Sequence, residues 1–173
     1  MRILRGLLLA GILARALAPE LPRYVAERGL RPATDSLRYL VSHPGEVSDP
    51  RGALDRIQAI ALAAAPGLPG DSRPLVLAGS CRLVGADTAG ALDFYRKALD
   101  LGERPEIDLN VGRALESNGE SDKAAAAFLR AVWISPALAP ALLPDLKLQA
   151  LSEYQRLEAA LRAGRLAAPP PLP

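Results

Sequence analysis

The side chains that could do nucleophilic or acid–base chemistry in this sequence are few and scattered. One histidine, His43, one cysteine, Cys81, and a loose group of carboxylates, Glu116, Glu120 and Asp122, make up the candidates. His43 lies in the run Ser42-His43-Pro44-Gly45, which reads as a turn after a helix, so it is expected as a solvated residue at a helix C-terminus. Cys81 lies within an apolar helical stretch and is expected to serve as a small core residue. Paired acids can exchange protons with a substrate, but these three fall at an exposed inter-helix junction where water keeps carboxylates ordinary. A single His and a single Cys cannot build a zinc cluster or an internal disulfide. The sequence carries no glycine-rich phosphate loop and no Gly-x-Ser-x-Gly elbow. The expectation is a non-catalytic protein without metal or cofactor.

The elements around these residues follow from composition. Of 173 residues, 50% are hydrophobic and only 4% aromatic, and Ala and Leu supply most of the apolar content. Strands favour branched and aromatic side chains, so this bias predicts an all-α fold. Basic residues number 21 and acidic ones 19, which suits a packed core rather than a solvated polyelectrolyte. The charge is uneven: residues 1–31 hold Arg2, Arg5, Arg15, Arg23, Arg28 and Arg31 against Glu20 and Glu27. These arginines are dispersed and no aromatic residues interleave with them as a stacking platform, so nucleic-acid binding is not expected.

The first residues read as an address. Met1-Arg2-Ile3-Leu4-Arg5 is a basic head, Gly6 to Ala14 is an uncharged apolar run, and Ala14-Arg15-Ala16 and Ala16-Leu17-Ala18 have the small-x-small form of a cleavage site. Arg5 and Arg15 make the segment a poor membrane span, since about 20 apolar residues are needed to cross. Residues 1–18 are therefore expected to export or tether the chain, placing it in a bacterial periplasm or on the inner membrane. The alternative is a cytoplasmic protein whose N-terminal helix packs on its own repeats.

From residue 32 onward, helices alternate with turn residues. Thr34 or Asp35 is expected to cap a helix ending near Ser42, and Asp49-Pro50 to open one ending near Ala65-Pro66-Gly67. Further helices are expected from about Ser72 to Val84, from Asp87 or Thr88 to Gly102, from Pro105 to Asn118-Gly119, and from a Ser121 cap to Ser135-Pro136. Gly79, Ala91, Tyr95 and Ala98 recur 33 positions later as Gly112, Ala124, Phe128 and Ala131, while Gly85 is matched to Gly119 by a one-residue slip in the turn. With Leu115 and Pro136, this pattern resembles the tetratricopeptide repeat family over Pro105 to Leu138. The upstream unit, Ser72 to Arg104, departs from the pattern at Arg82, Ala86 and Glu103. Residues 33–42 with Ala53, Ile57, Ile60 and Pro66 read either as a degenerate third unit or as a generic helical hairpin. Pro144-Asp145 opens a last helix whose Leu146, Ala150, Leu151, Tyr154, Leu157 and Leu161 form one apolar stripe, expected to cap the array before Gly164. The resulting organisation is a signal-like segment 1–18, a helical region 19–71, repeats over 72–143, a capping helix 144–164 and a Pro-rich tail 165–173.

The resemblance implies a concave groove lined by the first helices of successive repeats. On this chain the corresponding positions are Arg73, Val76, Ser80, Leu83 and Val84 in one unit. Glu106, Leu109, Asn110, Arg113, Glu116 and Ser117 follow in the next. Asn110, Arg113 and Arg73 would hold a carboxylate or a backbone carbonyl, with Val76, Leu83 and Leu109 as apolar floor. The lysine and asparagine set with which some family members clamp a chain-terminal carboxylate is not reproduced. The implied function is an adaptor that binds a protein or peptide, an integral membrane protein among the candidates, in an envelope assembly such as polysaccharide synthesis or secretion.

Overall fold

In a computed structural model, the structure describes residues 20–165 together with Arg15 and Ala18. The expected address segment 1–18 and the Pro-rich tail lie outside the described residues, apart from Arg15, Ala18 and Arg165. Among the described residues the chain is all-helical, with no strand. The helices are α1 (Glu20–Ser42), α2 (Pro50–Ala64), α3 (Arg73–Val84), α4 (Thr88–Asp100), α5 (Pro105–Ser117), α6 (Ser121–Ile134) and α7 (Pro144–Arg162). Short 3-10 turns occupy Ala65–Gly67 and Pro136–Ala141. The chain forms two compact units, residues 1–81 and 82–173.

In the first unit, α1 and α2 make a hairpin. Helix α1 is longer than the cap signal at Thr34 or Asp35 predicts, because it runs without a break through Pro32. Proline in a helix interior removes one backbone hydrogen bond and costs about 3 kcal/mol on its own. The stretch stays helical because Ala26, Leu30, Ala33, Leu37 and Leu40 are all buried, at alternating spacings of four and three. That seam makes one continuous contact face, and Pro32 itself sits on the exposed side. Thr34 does not cap: its hydroxyl donates to the Leu30 carbonyl at 2.9 Å, inside the helix. Asp35 pairs with Arg38 instead. Asp49 does cap α2 as expected, accepting from the Gly52 N–H at 2.9 Å with Pro50 at the first helical position. The degenerate third repeat departs from the repeat pattern here. Helix α1 has 23 residues where the later repeat helices have 12 to 14, and Ile60 is 43% exposed while Ile57 is buried.

In the second unit, α4, α5, α6 and α7 each pack on the next, which is the sequential arrangement of helix-turn-helix repeats with a terminal helix. The residues singled out by the 33-residue recurrence form its core. Ala91, Tyr95 and Ala98 are fully enclosed, as are Ala124, Phe128 and Ala131 to within 2%. The closest approach is between α5 and α6. A Cβ placed on Gly112 would lie 2.5 Å from two atoms of the Phe128 ring, so the ring occupies the volume that any other residue at 112 would fill.

The turn between hairpin helices corrects the one-residue slip. Ala86, not Gly85, takes the left-handed conformation, with φ +63°, and Gly119 takes it in the next turn with φ +77°. The Ala86 N–H donates to Leu83 and the Asp87 N–H to Arg82, at 3.0 and 2.8 Å; Gly119 to Glu116 and Glu120 to Leu115 repeat the pair at 2.9 Å each. All four positions differ by 33, so the recurrence holds without insertion and an alanine bears the strain that glycine avoids. Arg82, out of place in the pattern, lies at the surface and pairs with Asp87 at 3.1 Å. The Ser121 cap is likewise corrected: Glu120 is the residue before α6, and Ser121 is already helical. Helix α7 runs as predicted, although of its apolar stripe only Ala150 is buried and Leu161 is 43% exposed. Tyr154 meets Trp133 of α6 edge to face, with ring centroids 5.6 Å apart.

Two substitutions test this account. Gly112→Ala is expected to destabilise the chain by about 1–3 kcal/mol through overpacking, with a smaller loss when combined with Phe128→Leu. Ala86→Gly is expected to stabilise it by about 0.5–1 kcal/mol. Urea unfolding followed by circular dichroism checks both.

Candidate functional site

The first-helix positions implied by the repeat resemblance fall in both compact units, and each unit presents its own set. In the second unit, Glu106, Asn110, Arg113 and Ser117 recur at spacings of four and three along α5. They therefore share one helix face, with Asn110 half-buried and the others exposed. The opposite side of α5 carries Ile107, Asp108, Val111, Ala114 and Leu115 into the core. Helix geometry thus separates a polar outer stripe from an apolar inner one. Arg113 Nη1 donates to Asn110 Oδ1 at 3.3 Å, and Ser117 donates to the Arg113 carbonyl at 2.9 Å. The Asn110 amide nitrogen and the other guanidinium nitrogens of Arg113 donate to no group among the described residues, a donor set that matches a carboxylate or a peptide carbonyl. Glu116 is exposed beside the stripe.

Other positions of the expected groove have different roles. Leu109 is only 6% exposed and belongs to the core rather than to an open apolar floor. Leu83 is half-buried and Val84 is 42% exposed, both at the end of α3. In the first unit, Arg73 is engaged: it lies 2.5 Å from Asp71 Oδ2 and 2.5 Å from Glu27 Oε1, tying the start of α3 to α1. These two carboxylates hold the guanidinium charged, and its pKa rises further above the usual arginine value. Val76 is half-buried, and Ser80 Oγ donates to the Val76 carbonyl at 2.9 Å. The charge assigned to Arg73 for a ligand is thus already neutralised within the fold.

The residues first considered for chemistry are placed as follows. His43 is exposed at the end of α1, its ring stacked on Tyr39 with centroids 4.5 Å apart. Cys81 is 2% exposed, and burial pushes its thiol up to about 11. Glu120 accepts from Lys123 and from Asn118, and these contacts lower its pKa, which favours a fixed anion over a proton donor. Among the described residues no group of three or more His, Cys, Asp or Glu side chains is arranged to hold a metal ion.

Sequence reasoning missed the most unusual group. Asp108, in the first turn of α5, is fully buried, and neither of its carboxylate oxygens has a hydrogen-bond partner. Burial pushes its pKa up to about 7, the Glu103 carboxylate adds to the rise, and the Arg130 guanidinium opposes it. Arg130 and Glu103 themselves form a two-pronged ion pair, at 2.5 Å from Nε to Oε1 and 2.6 Å from Nη2 to Oε2. That pair fastens α6 to the loop preceding α5, at the place where the upstream repeat lacks its terminal proline. A signal for Asp108 did exist: 33 residues earlier the same repeat position is Leu75, so a charge stands in an apolar slot.

The linkage sign follows from the raised value. With an ordinary pKa of 3.8 when unfolded and about 7 when folded, Asp108 keeps a proton in the folded chain that the unfolded chain has released. Its contribution is therefore most favourable below pH 4 and is lost as the pH rises through 7. Asp108→Asn is expected to be more stable than the parent at pH 8 and to lose the decline between pH 4 and 7. Unfolding curves across that range check it; a parent profile unchanged by the substitution contradicts it. No protein-family model, no curated protein and no solved structure matches the chain.

Proposed function

We propose that this chain is a non-catalytic adaptor of the tetratricopeptide type, which holds a protein or peptide partner through the outer face of α5. The single observation that carries this reading is the exposed Glu106-Asn110-Arg113-Ser117 stripe on a helix whose other side is locked into α6. A stripe of this kind offers several hydrogen-bond donors on a rigid element, the form of site that recognises a partner's carboxylate or backbone. Residues 1–18 carry a basic head and an apolar run, which supports export or membrane tethering. On that footing the partner belongs to an envelope assembly such as polysaccharide synthesis or secretion, a placement made by analogy with the common use of helical repeats as scaffolds.

Replacing Asn110 and Arg113 together with alanine is expected to weaken partner binding by roughly tenfold or more, since hydrogen bonds to charged groups contribute about 1.5–3 kcal/mol each. The melting transition should change little, because Arg113 is exposed and Asn110 only half-buried. The partner is recovered by crosslinking from cell fractions in which the intact mass of the native chain has been measured. Undiminished binding by the double variant contradicts the α5 site, and a full-length chain in the soluble cytoplasm contradicts the envelope placement while leaving the α5 site in force.

A further inference from the structure

The hairpin of the first unit leaves an apolar face uncovered. Beside the buried seam of α1 runs a second row, Leu21, Val25, Arg28, Pro32, Asp35 and Tyr39, at the same alternating spacings of four and three. Unlike the seam, this row is apolar only toward its ends, with Arg28, Pro32 and Asp35 between them, and α2 leaves it uncovered. In the second row Leu21 and Val25 are 63% and 61% exposed, and Tyr39 is 49% exposed. Ile60 of α2, itself 43% exposed, closes the floor against Gly29, leaving an open groove of about 950 Å³ along Arg28 to Tyr39 that continues past Gly29 toward Leu21.

The order of the charges in the row identifies the occupant. Read from one end it is apolar, apolar, positive, proline, negative, aromatic, with Asp35 also paired to Arg38 and the Tyr39 hydroxyl donating to Glu46. A second α1 laid antiparallel reads the same row in reverse, setting apolar ends against apolar ends and bringing each Arg28 within about one helical turn of the facing Asp35. A surface that complements itself in reverse is what a two-fold pair requires. The chain's own residues 1–18 fit less well, because their charges are Arg2, Arg5 and Arg15 with no acid, and these would face Arg28 and Arg56 in the groove. An anionic lipid surface would in turn meet Asp35. We propose that the α1–α2 face docks a second copy of this chain, antiparallel about a two-fold axis near Pro32. This surface is separate from the α5 stripe, so either can fail without the other.

Sedimentation of the full-length chain over a micromolar range tests it with Arg28→Glu, Asp35→Arg and the double variant. The parent is expected to be a dimer, each single variant to dissociate at least about tenfold more readily because like charges then face one another twice, and the double variant to recover close to the parent affinity. All four should show the same helical circular dichroism spectrum, since both positions are exposed. A parent that stays monomeric overturns the proposal, whether crosslinking from position 25 reaches the chain's own residues 1–18 or the chain binds anionic vesicles without self-association. A dimer indifferent to the charge swaps overturns it as well.

Discussion

Much of the second unit depends on one volume: the space at Gly112 that has no Cβ and is filled by the Phe128 ring. Because the ring enters there, α5 and α6 lie close enough for Ala124, Ala127 and Ala131 to be sealed with almost no exposure. Close-packed interiors resist changes of even one methylene, so the rotation of α5 is fixed by this contact. With the rotation fixed, its outer stripe is fixed too, and Asn110 and Arg113 present their donors in one direction. The same pattern of small, aromatic, small residues recurs at Ala91, Tyr95 and Ala98, where it is buried as fully. The packing rule is thus a repeated one, and the orientation of the outer stripe is its by-product.

The second unit also carries costs that this packing must offset. Ala86 adopts a left-handed conformation that L-residues disfavour by about 1–2 kcal/mol. Asp108 is enclosed with no hydrogen bond, in the first turn of a helix where the dipole favours a negative charge but does not replace water. The half-buried Arg130–Glu103 pair stands close enough to shift Asp108 in opposite senses. An ionisable group held in an apolar slot at the base of the helix that bears the proposed site is expected to make the stability of the fold decline as the pH rises from 4 to 7.

How much could be read from the residues varied with how local the cause was. The bounds of α3 through α7 to within a residue or two, the Asp49 cap and the small-large-small burial were legible, because each is set by neighbours within a turn or by a recurrence at fixed distance. The unbroken α1 was not: the cap signal at Thr34 or Asp35, just after Pro32, marks a boundary locally, and only the long seam against α2 overrides it. Ala86 was missed because glycine is the expected left-handed residue and Gly85 stood beside it. Arg73 and Leu109 were read from repeat position alone, whereas the partners Glu27 and Asp71 and the burial of Leu109 are tertiary facts. That Glu106, Asn110, Arg113 and Ser117 share one face of α5 follows from helical spacing, whereas their choice as groove positions came from the repeat resemblance.

The claim on which the functional reading stands is that the outer face of α5 meets another protein. A photo-crosslinking residue placed at position 110 in the native cells, with one at the exposed Asp93 of α4 as control, tests it directly. The account predicts one discrete protein adduct from position 110 that disappears when Arg113 is also replaced by alanine, and none from position 93. No adduct from position 110, or the same adducts from both positions, would contradict it.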